Sequence, residues 1–413
     1  MIFRKRVYTK IIFISLCLLM LLLQTGCWDY RETEDRGYVL GIAIDVAEPL
    51  PRGSDDLEEY FSEREIEKMP LQKGSPKYAY TIQIPIIPQA RIKPEGGGGG
   101  AVDEDRAWDI TITGNSFFEV NREFATRLDY PAFYEHLQVV VISEEVAREG
   151  ITEILDFLLR DHEIRRKTRV FITPGEAKAV LDVIPRIEDY SSLYLVKLPR
   201  GAEKTSRIAH LTDLGVVSQN IHSKLPFTLP RVISTKDEIK DAGVAIFKED
   251  EMVGWLGEID TIWAKWIRDL AIGGLVVVDS PNEEGKLLAV EIVKVNTKVR
   301  PLVVKDKIIM NIDVEGTFNI IEEMRTGESN VFDEEYIEEV EELIQEKIER
   351  EIKDTVAFVQ EEFGVDIFHF ALAMKRYAPR EWEKYEQEWD DVFSNLEVEV
   401  SVDAQIRLVG LMR

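Results

Sequence analysis

The chain is 413 residues long and carries 77 Asp and Glu against 51 Lys and Arg, for a formal charge of −26. An acidic balance of that size argues against nucleic acid as a partner, because phosphate binding needs a basic face. Hydrophobic residues at 45% and aromatics at 9% suffice for packed cores, and the length suits two or three domains.

In chain order, Arg4, Lys5, Arg6 and Lys10 precede an apolar run from Ile11 to Leu23 that only Ser15 interrupts. A basic region, a short apolar region and small residues at a cut form a secretory signal peptide. At 1.5 Å per residue that run reaches about 20 Å, short of a hydrocarbon core of ~30 Å, so it is not read as a spanning anchor. Thr25-Gly26-Cys27 follows, with small residues for a peptidase groove and a thiol that can take a diacylglycerol. The pattern predicts a bacterial lipoprotein, cut so that residues 1–26 leave and Cys27 is lipid-modified. Gln24 stands where the usual lipobox has Leu. The other cysteine, Cys17, leaves with the leader, so no disulfide forms and the domains rest on hydrophobic burial. Loss of the four basic leader residues takes the charge to about −30. The anionic membrane surface is therefore expected to offer the body nothing, and two acyl chains to do the holding.

The first unit is read as residues 27–200, a mixed α/β domain. Tyr38–Val46, Tyr78–Ile87, Ala107–Thr113, His136–Ile142 and Thr168–Thr173 carry the apolar, β-branched signature of strands. Asn115 is expected to cap a helix through about Leu128. A further helix opens at Ser143-Glu144-Glu145, with an interruption at Gly150, and another runs to Ile184. Ala47–Lys77 reads as a surface insertion. Gly96–Gly100 reads as a flexible loop, since no GK[S/T] follows it as a phosphate cradle would need. The second unit, 201–284, is α+β. It begins in a helical linker to Ser223 and holds a hairpin over Gly243–Leu256, then a helix with Trp263, Trp266, Ile267 and Leu270 on one face. The third unit, 285–413, is also α+β. It opens with a long antiparallel hairpin, Leu287–Val304 and Lys307–Ile321, one face of which is wet. Asp333–Phe363 follows as a long acidic helix whose apolar positions average about 3.7 residues apart, which favours packing on the sheet over a coiled coil. Helices over Asp366–Tyr377 and Pro379–Phe393 and a strand over Leu396–Leu408 close the chain. The whole reads as α+β, three small domains each with a sheet flanked by helices.

Chemistry is hard to find. His136, His162, His210, His222 and His369 form no HExxH and no pair four apart on a helix face, so zinc lacks ligands. There is no GxSxG elbow and no Walker A, and Gly201–Ser206 lacks the second glycine. Asp279–Gly285 has the wrong spacing for a calcium loop. Trp382, Tyr385 and Trp389 make an aromatic stripe that reads as core rather than as a sugar platform. No catalytic, cofactor or metal site is predicted.

GCWDYRETEDRGYVLGIAID resembles the start of the C subunits of spore germinant receptors, the Ger(x)C lipoprotein family. Blocks similar to the same family follow in order at His136–Arg165, Gly243–Leu256, Phe363–Phe393 and Leu396–Gly410. Gln24, the Ala47–Lys77 insertion and the glycine run depart from the family pattern and lie outside those blocks. The resemblance implies a non-enzymatic, three-domain protein without cofactor on the outer leaflet of the spore inner membrane. It would act there with membrane-embedded A and B subunits in a receptor for small nutrients. Cys27 is the one position that carries over, as the lipidated cysteine; no residue carries over as a contact for nutrient or partner. A lipid-anchored solute-binding protein of a transporter is the alternative, and it expects two large, similar α/β lobes.

Overall fold

The computed structural model describes residues 13–15, 36–47, 77–86, 106–305, 307–324 and 333–409. Cys27, residues 48–76 and the glycine run at 96–100 lie outside the described residues. Among those described, the strands form an eight-stranded sheet, a four-stranded sheet and a two-stranded ribbon.

The eight-stranded sheet is built around β2 (Gly41–Val46), flanked by β3 (Tyr78–Pro85) and β6 (Val139–Ser143). β4 (Ala107–Gly114) extends it antiparallel beyond β3, and β7 (Arg169–Thr173) lies parallel to β6 on the other side. The parallel strands are buried on both faces, hence their continuous apolar runs. Val140 and Ile142 join one core with Ile42 and Ile44, while Val139 and Val141 join another with Ala43 and Phe171. The expected strand over Tyr38–Val46 divides. Its first residue, Tyr38, belongs instead to β1 (Gly37–Tyr38), which pairs parallel with β5 (Ala132–Phe133).

Helix α1 (Phe117–Arg127) is capped by Ser116, whose Oγ accepts from Glu119 N at 3.3 Å. The expected cap, Asn115, instead accepts from Lys77 N at 3.1 Å and ties β3 to the loop. The next helix breaks at Gly150, φ +108°, into α2 (Glu144–Glu149) and α3 (Thr152–Arg160). α4 (Ala177–Leu181) is held at its start by Asp45, which accepts from Ala177 N at 2.6 Å and Lys178 N at 3.0 Å. α5 (Ser191–Lys197) and α6 (Leu214–His222) follow.

Strands β8 (Phe227–Ser234), β9 (Ile239–Lys248) and β10 (Glu251–Leu256) pair antiparallel with one another. They meet β7 at a single registered pair, Ile172 with Arg231. Strand alternation then sends the two faces of β9 to different cores. Ala245 and Phe247 pack with the first unit, while Val244 and Ile246 pack with Trp263, Trp266 and the four-stranded sheet. Within β9, Gly243 has φ +103°, and an added Cβ there would sit 2.3 Å from Leu256 O. Left-handed backbone and a clash with main chain together should make Gly243→Ala cost roughly 2–4 kcal/mol. A loss below about 0.5 kcal/mol in urea unfolding, the range of inert surface changes, would contradict that reading.

The four-stranded sheet runs β11 (Leu275–Asp279), β12 (Leu287–Val304), β13 (Lys307–Glu323) and β14 (Glu397–Val409). The expected hairpin is present and turns at Lys305, φ +59°. Its inner face is covered by α7 (Glu258–Ile267) and α8 (Glu334–Glu362). Trp266 stacks on Phe318 with ring centres 6.5 Å apart. On α8, Val340, Ile344, Ile348, Ile352, Val356 and Val359 are all buried, so the long helix packs on the sheet as its period predicts. β14 runs parallel to β13, which requires a crossover. That crossover consists of α8, α9 (Phe370–Tyr377), α10 (Pro379–Tyr385) and α11 (Trp389–Ser394). The helix expected over 379–393 is broken by a 3-10 turn at Glu386–Glu388. Trp382 and Trp389 meet edge to face at 5.2 Å, and both lie against the core, as the stripe suggested.

Candidate functional site

The predicted site residue, Cys27, lies outside the described residues, which resume at Arg36, nine positions later. The described part contributes two other places where polar groups converge.

The first is the junction between units. Lys265, on the buried face of α7, donates from Nζ to Ser206 O at 3.0 Å and Ile208 O at 2.7 Å. Asp241, on β9, accepts from Ala209 N at 3.1 Å. Burial pushes its carboxyl up to about 6, against the pull of that amide and of Lys265. Across the junction Asp366, 2% exposed, accepts from Phe370 N at 3.0 Å, Ala371 N at 2.7 Å and Trp389 Nε1 at 3.1 Å. Capping by this carboxylate is why α9 starts at Phe370 rather than at Asp366. Burial still raises the Asp366 carboxyl above its usual range. His369 sits in left-handed backbone at φ +64°, with Nε2 3.3 Å from Pro226 O. Burial, then the neighbouring Arg268 charge, pushes its imidazole down to about 4.

Of these groups His369, through Pro226 O, links the third expected unit to the second, while Lys265 and Asp241 bond within the second and Asp366 within the third. Their visible role is to hold the chain in place where those two units meet. A neutral His369 gives a pH test. Its folded value lies below the unfolded 6.5, so the unfolded chain takes the proton first. Its stabilisation is present above pH 6.5 and is lost as the pH falls toward 4. Asp241, raised in the fold, acts with the opposite sign between about 4 and 6, so the comparison is with a variant rather than with a bare profile. The stability advantage of wild type over His369→Gln should shrink between pH 6.5 and 4, by up to about 1.4 kcal/mol per pH unit. An advantage constant across that range would refute the buried neutral histidine.

The second place is the wet face of the four-stranded sheet. Lys298 and Arg300 of β12, Asp313 and Glu315 of β13, and Ser401 and Asp403 of β14 line an open groove of about 400 Å³. Lys298 lies opposite Asp313, which lies opposite Ser401. Lys298 Nζ donates to Glu315 at 2.8 Å and holds that carboxyl below its ordinary value. Small-molecule sites are mostly apolar and enclosed; this groove is charged and open, and its Lys298 is already paired with Glu315. Among the described residues no three His, Cys, Asp or Glu gather as metal ligands, and no helix is long and apolar enough to cross a membrane.

Sequence reasoning missed Lys265, Asp241 and Asp366. A signal existed for one of them: Asp366 and His369 are isolated polar residues inside the apolar block Val365–Met374. Lys265 and Asp241 read as ordinary surface charges.

The likeness to known proteins runs from end to end. A family described as Spore germination protein N-terminal domain matches residues 29–233. A second, described as Spore germination B3/GerAC like, C-terminal, matches residues 242–410. Spore germination protein YndF of Bacillus subtilis (strain 168) is 30% identical over 404 residues, covering 97% of this chain and 96% of that one. Spore germination protein B3 of the same organism is 24% identical, covering 95% and 96% of the two chains. The crystal structure of the GerBC protein aligns with a TM-score of 0.55 at 20% identity over 80% of this chain and 93% of that one, a likeness of fold. Matched by the two family models in tandem and by a 30% identical relative over nearly its whole length, the chain belongs to the GerAC-like, or Ger(x)C, family of spore germination proteins.

Proposed function

We propose that this protein is the C subunit of a nutrient germinant receptor, a non-catalytic component needed for the receptor to commit a dormant spore to germinate. In this reading diacylglycerol on Cys27 holds it to the outer leaflet of the spore inner membrane, where it works with the membrane-embedded A and B subunits. The observation that carries the proposal is the match to spore germination proteins across nearly the whole of both chains. The shared strand β9 supports it further: residues of one strand pack into both large cores, which suits a body that keeps one shape while bound to partners.

Deletion of the gene tests the role directly. Spores lacking this subunit should lose their response to one nutrient or nutrient mixture and keep their response to germinants that bypass receptors. Undiminished germination with every nutrient would remove the proposal.

A further inference from the structure

One amide side chain fastens two helices to the first sheet. Gln83 of β3, 1% exposed, donates from Nε2 to Leu181 O at 3.0 Å and to Ser191 Oγ at 2.9 Å. Its Oε1 accepts from Ser192 Oγ at 2.6 Å and from Ser192 N at 3.3 Å. Leu181 is the last residue of α4, and Ser191 and Ser192 open α5. The network therefore closes the end of one helix and the start of the next over a small core that includes Ala43, Val141, Phe171, Val180 and Leu195. An amide nitrogen has two hydrogens to give, and here both are committed.

Asp109 of β4 lies opposite Gln83 in the antiparallel register, so both side chains leave the same face of the sheet. Its Oδ1 is buried and meets no hydrogen-bond partner among the described residues. The charges that act on it come from α4, where Asp182 and Lys178 are paired with each other. On α5 Lys197 is paired with Glu188, and at the start of β4 Arg106 is paired with Asp189. On β2 Asp45 is taken up by the first amides of α4. A buried carboxylate without a donor is costly, and the neutral acid is far less so. Burial, then the Asp182 charge, accordingly pushes Asp109 up to about 7, and Gln83 is the hydrogen-bonding group that pulls it back. To ionise in place, the carboxylate has to draw a hydrogen of Gln83 Nε2 away from Leu181 O or Ser191.

We propose that Asp109 and Gln83 form a proton-operated latch on α4 and α5. With the proton on Asp109, the amide holds both helices down. When the proton leaves to water, the carboxylate takes one of the two amide hydrogens and the helices loosen from the sheet. The small core then opens locally, without unfolding of the whole chain. The carboxyl is 3.8 when exposed and about 7 in the closed site. The stabilisation it gives is therefore complete below about 4 and is lost as the pH rises through 7. Opening should gain up to about tenfold per pH unit across that window and level off above it.

Hydrogen exchange read by mass spectrometry tests the latch on the purified protein between about pH 5.5 and 7.5, each rate corrected for the intrinsic exchange of its amide. Amides of 177–197 should open about tenfold or more faster at the upper pH, while those of α8 keep their protection. Asp109→Asn, which keeps the neutral shape at every pH, should abolish the difference. Asp182→Asn removes the neighbouring charge and spares Gln83, so its profile should level off at lower pH. A flat wild-type profile across 177–197, or an equal rise in α8, would overturn the proposal. So would an undiminished rise in Asp109→Asn. Should that variant not fold, the wild-type and Asp182→Asn profiles decide, and identical profiles count against the latch.

Discussion

Cys27→Ala should move the protein from the membrane fraction to the soluble fraction of broken spores and abolish the nutrient response that depends on it. The argument is one of attachment energy. Among the described residues no helix can span a bilayer, and a single myristoyl-like chain binds only marginally, whereas two chains hold firmly. A diacylated Cys27 would supply both chains at one residue, and its loss would remove both from a chain of formal charge −26, which an anionic membrane surface does not attract. Spore fractionation with immunoblotting, alongside the germination assay, reads both effects. A variant that stays in the membrane fraction and still supports germination would show that the partners alone retain the subunit.

Phe247→Ala should remove about 3–5 kcal/mol of stability, and Ile246→Ala about 2–5 kcal/mol. Neighbouring residues of one strand are being asked to damage different cores. Phe247 stacks on Phe227 at 4.9 Å within the core of the first unit. Ile246 points the other way, into the core with Trp266 and the four-stranded sheet. Because a single backbone serves both, neither core can melt without loosening the other. Each variant should therefore lower one cooperative transition rather than split it. Net stabilities are about 5–15 kcal/mol, so either substitution removes a large share. Calorimetry separates the outcomes. Two resolved transitions in Phe247→Ala, one of them at the wild-type temperature, would mean that the units unfold independently and that β9 does not couple them.

Much of the fold was legible because local pattern and tertiary environment agree. The period of Val340 to Val359 marked the face of α8 that lies on the sheet. The alternation in Leu287–Ile321 marked the long hairpin with one wet face. Elements were misread where a distant partner decides. Ser116 rather than Asn115 caps α1 because Asn115 is occupied by Lys77, 38 residues earlier. The parallel pairing of β14 is set by the helices that cross over before it, and strand alternation carries no sign of direction. The buried polar pairs were hidden for the same reason. Gln83 bonds Leu181 O and Ser191 across about a hundred residues, and Lys265 reaches Ser206 and Ile208 across almost sixty. Nothing in the local sequence distinguishes such residues from surface ones. The proposal for Cys27 rests on local sequence alone, an export leader followed by a lipidation signal, at a position outside the described residues.

The most direct test of the receptor reading is affinity purification of this protein from detergent-solubilised spore inner membranes, with partners identified by mass spectrometry. Co-purification of one polytopic membrane protein and one larger receptor-like subunit, lost together when either is deleted, is the expected result. Recovery of transporter components, or of this chain alone under conditions that keep other membrane complexes intact, would contradict it and return the solute-binding alternative to first place.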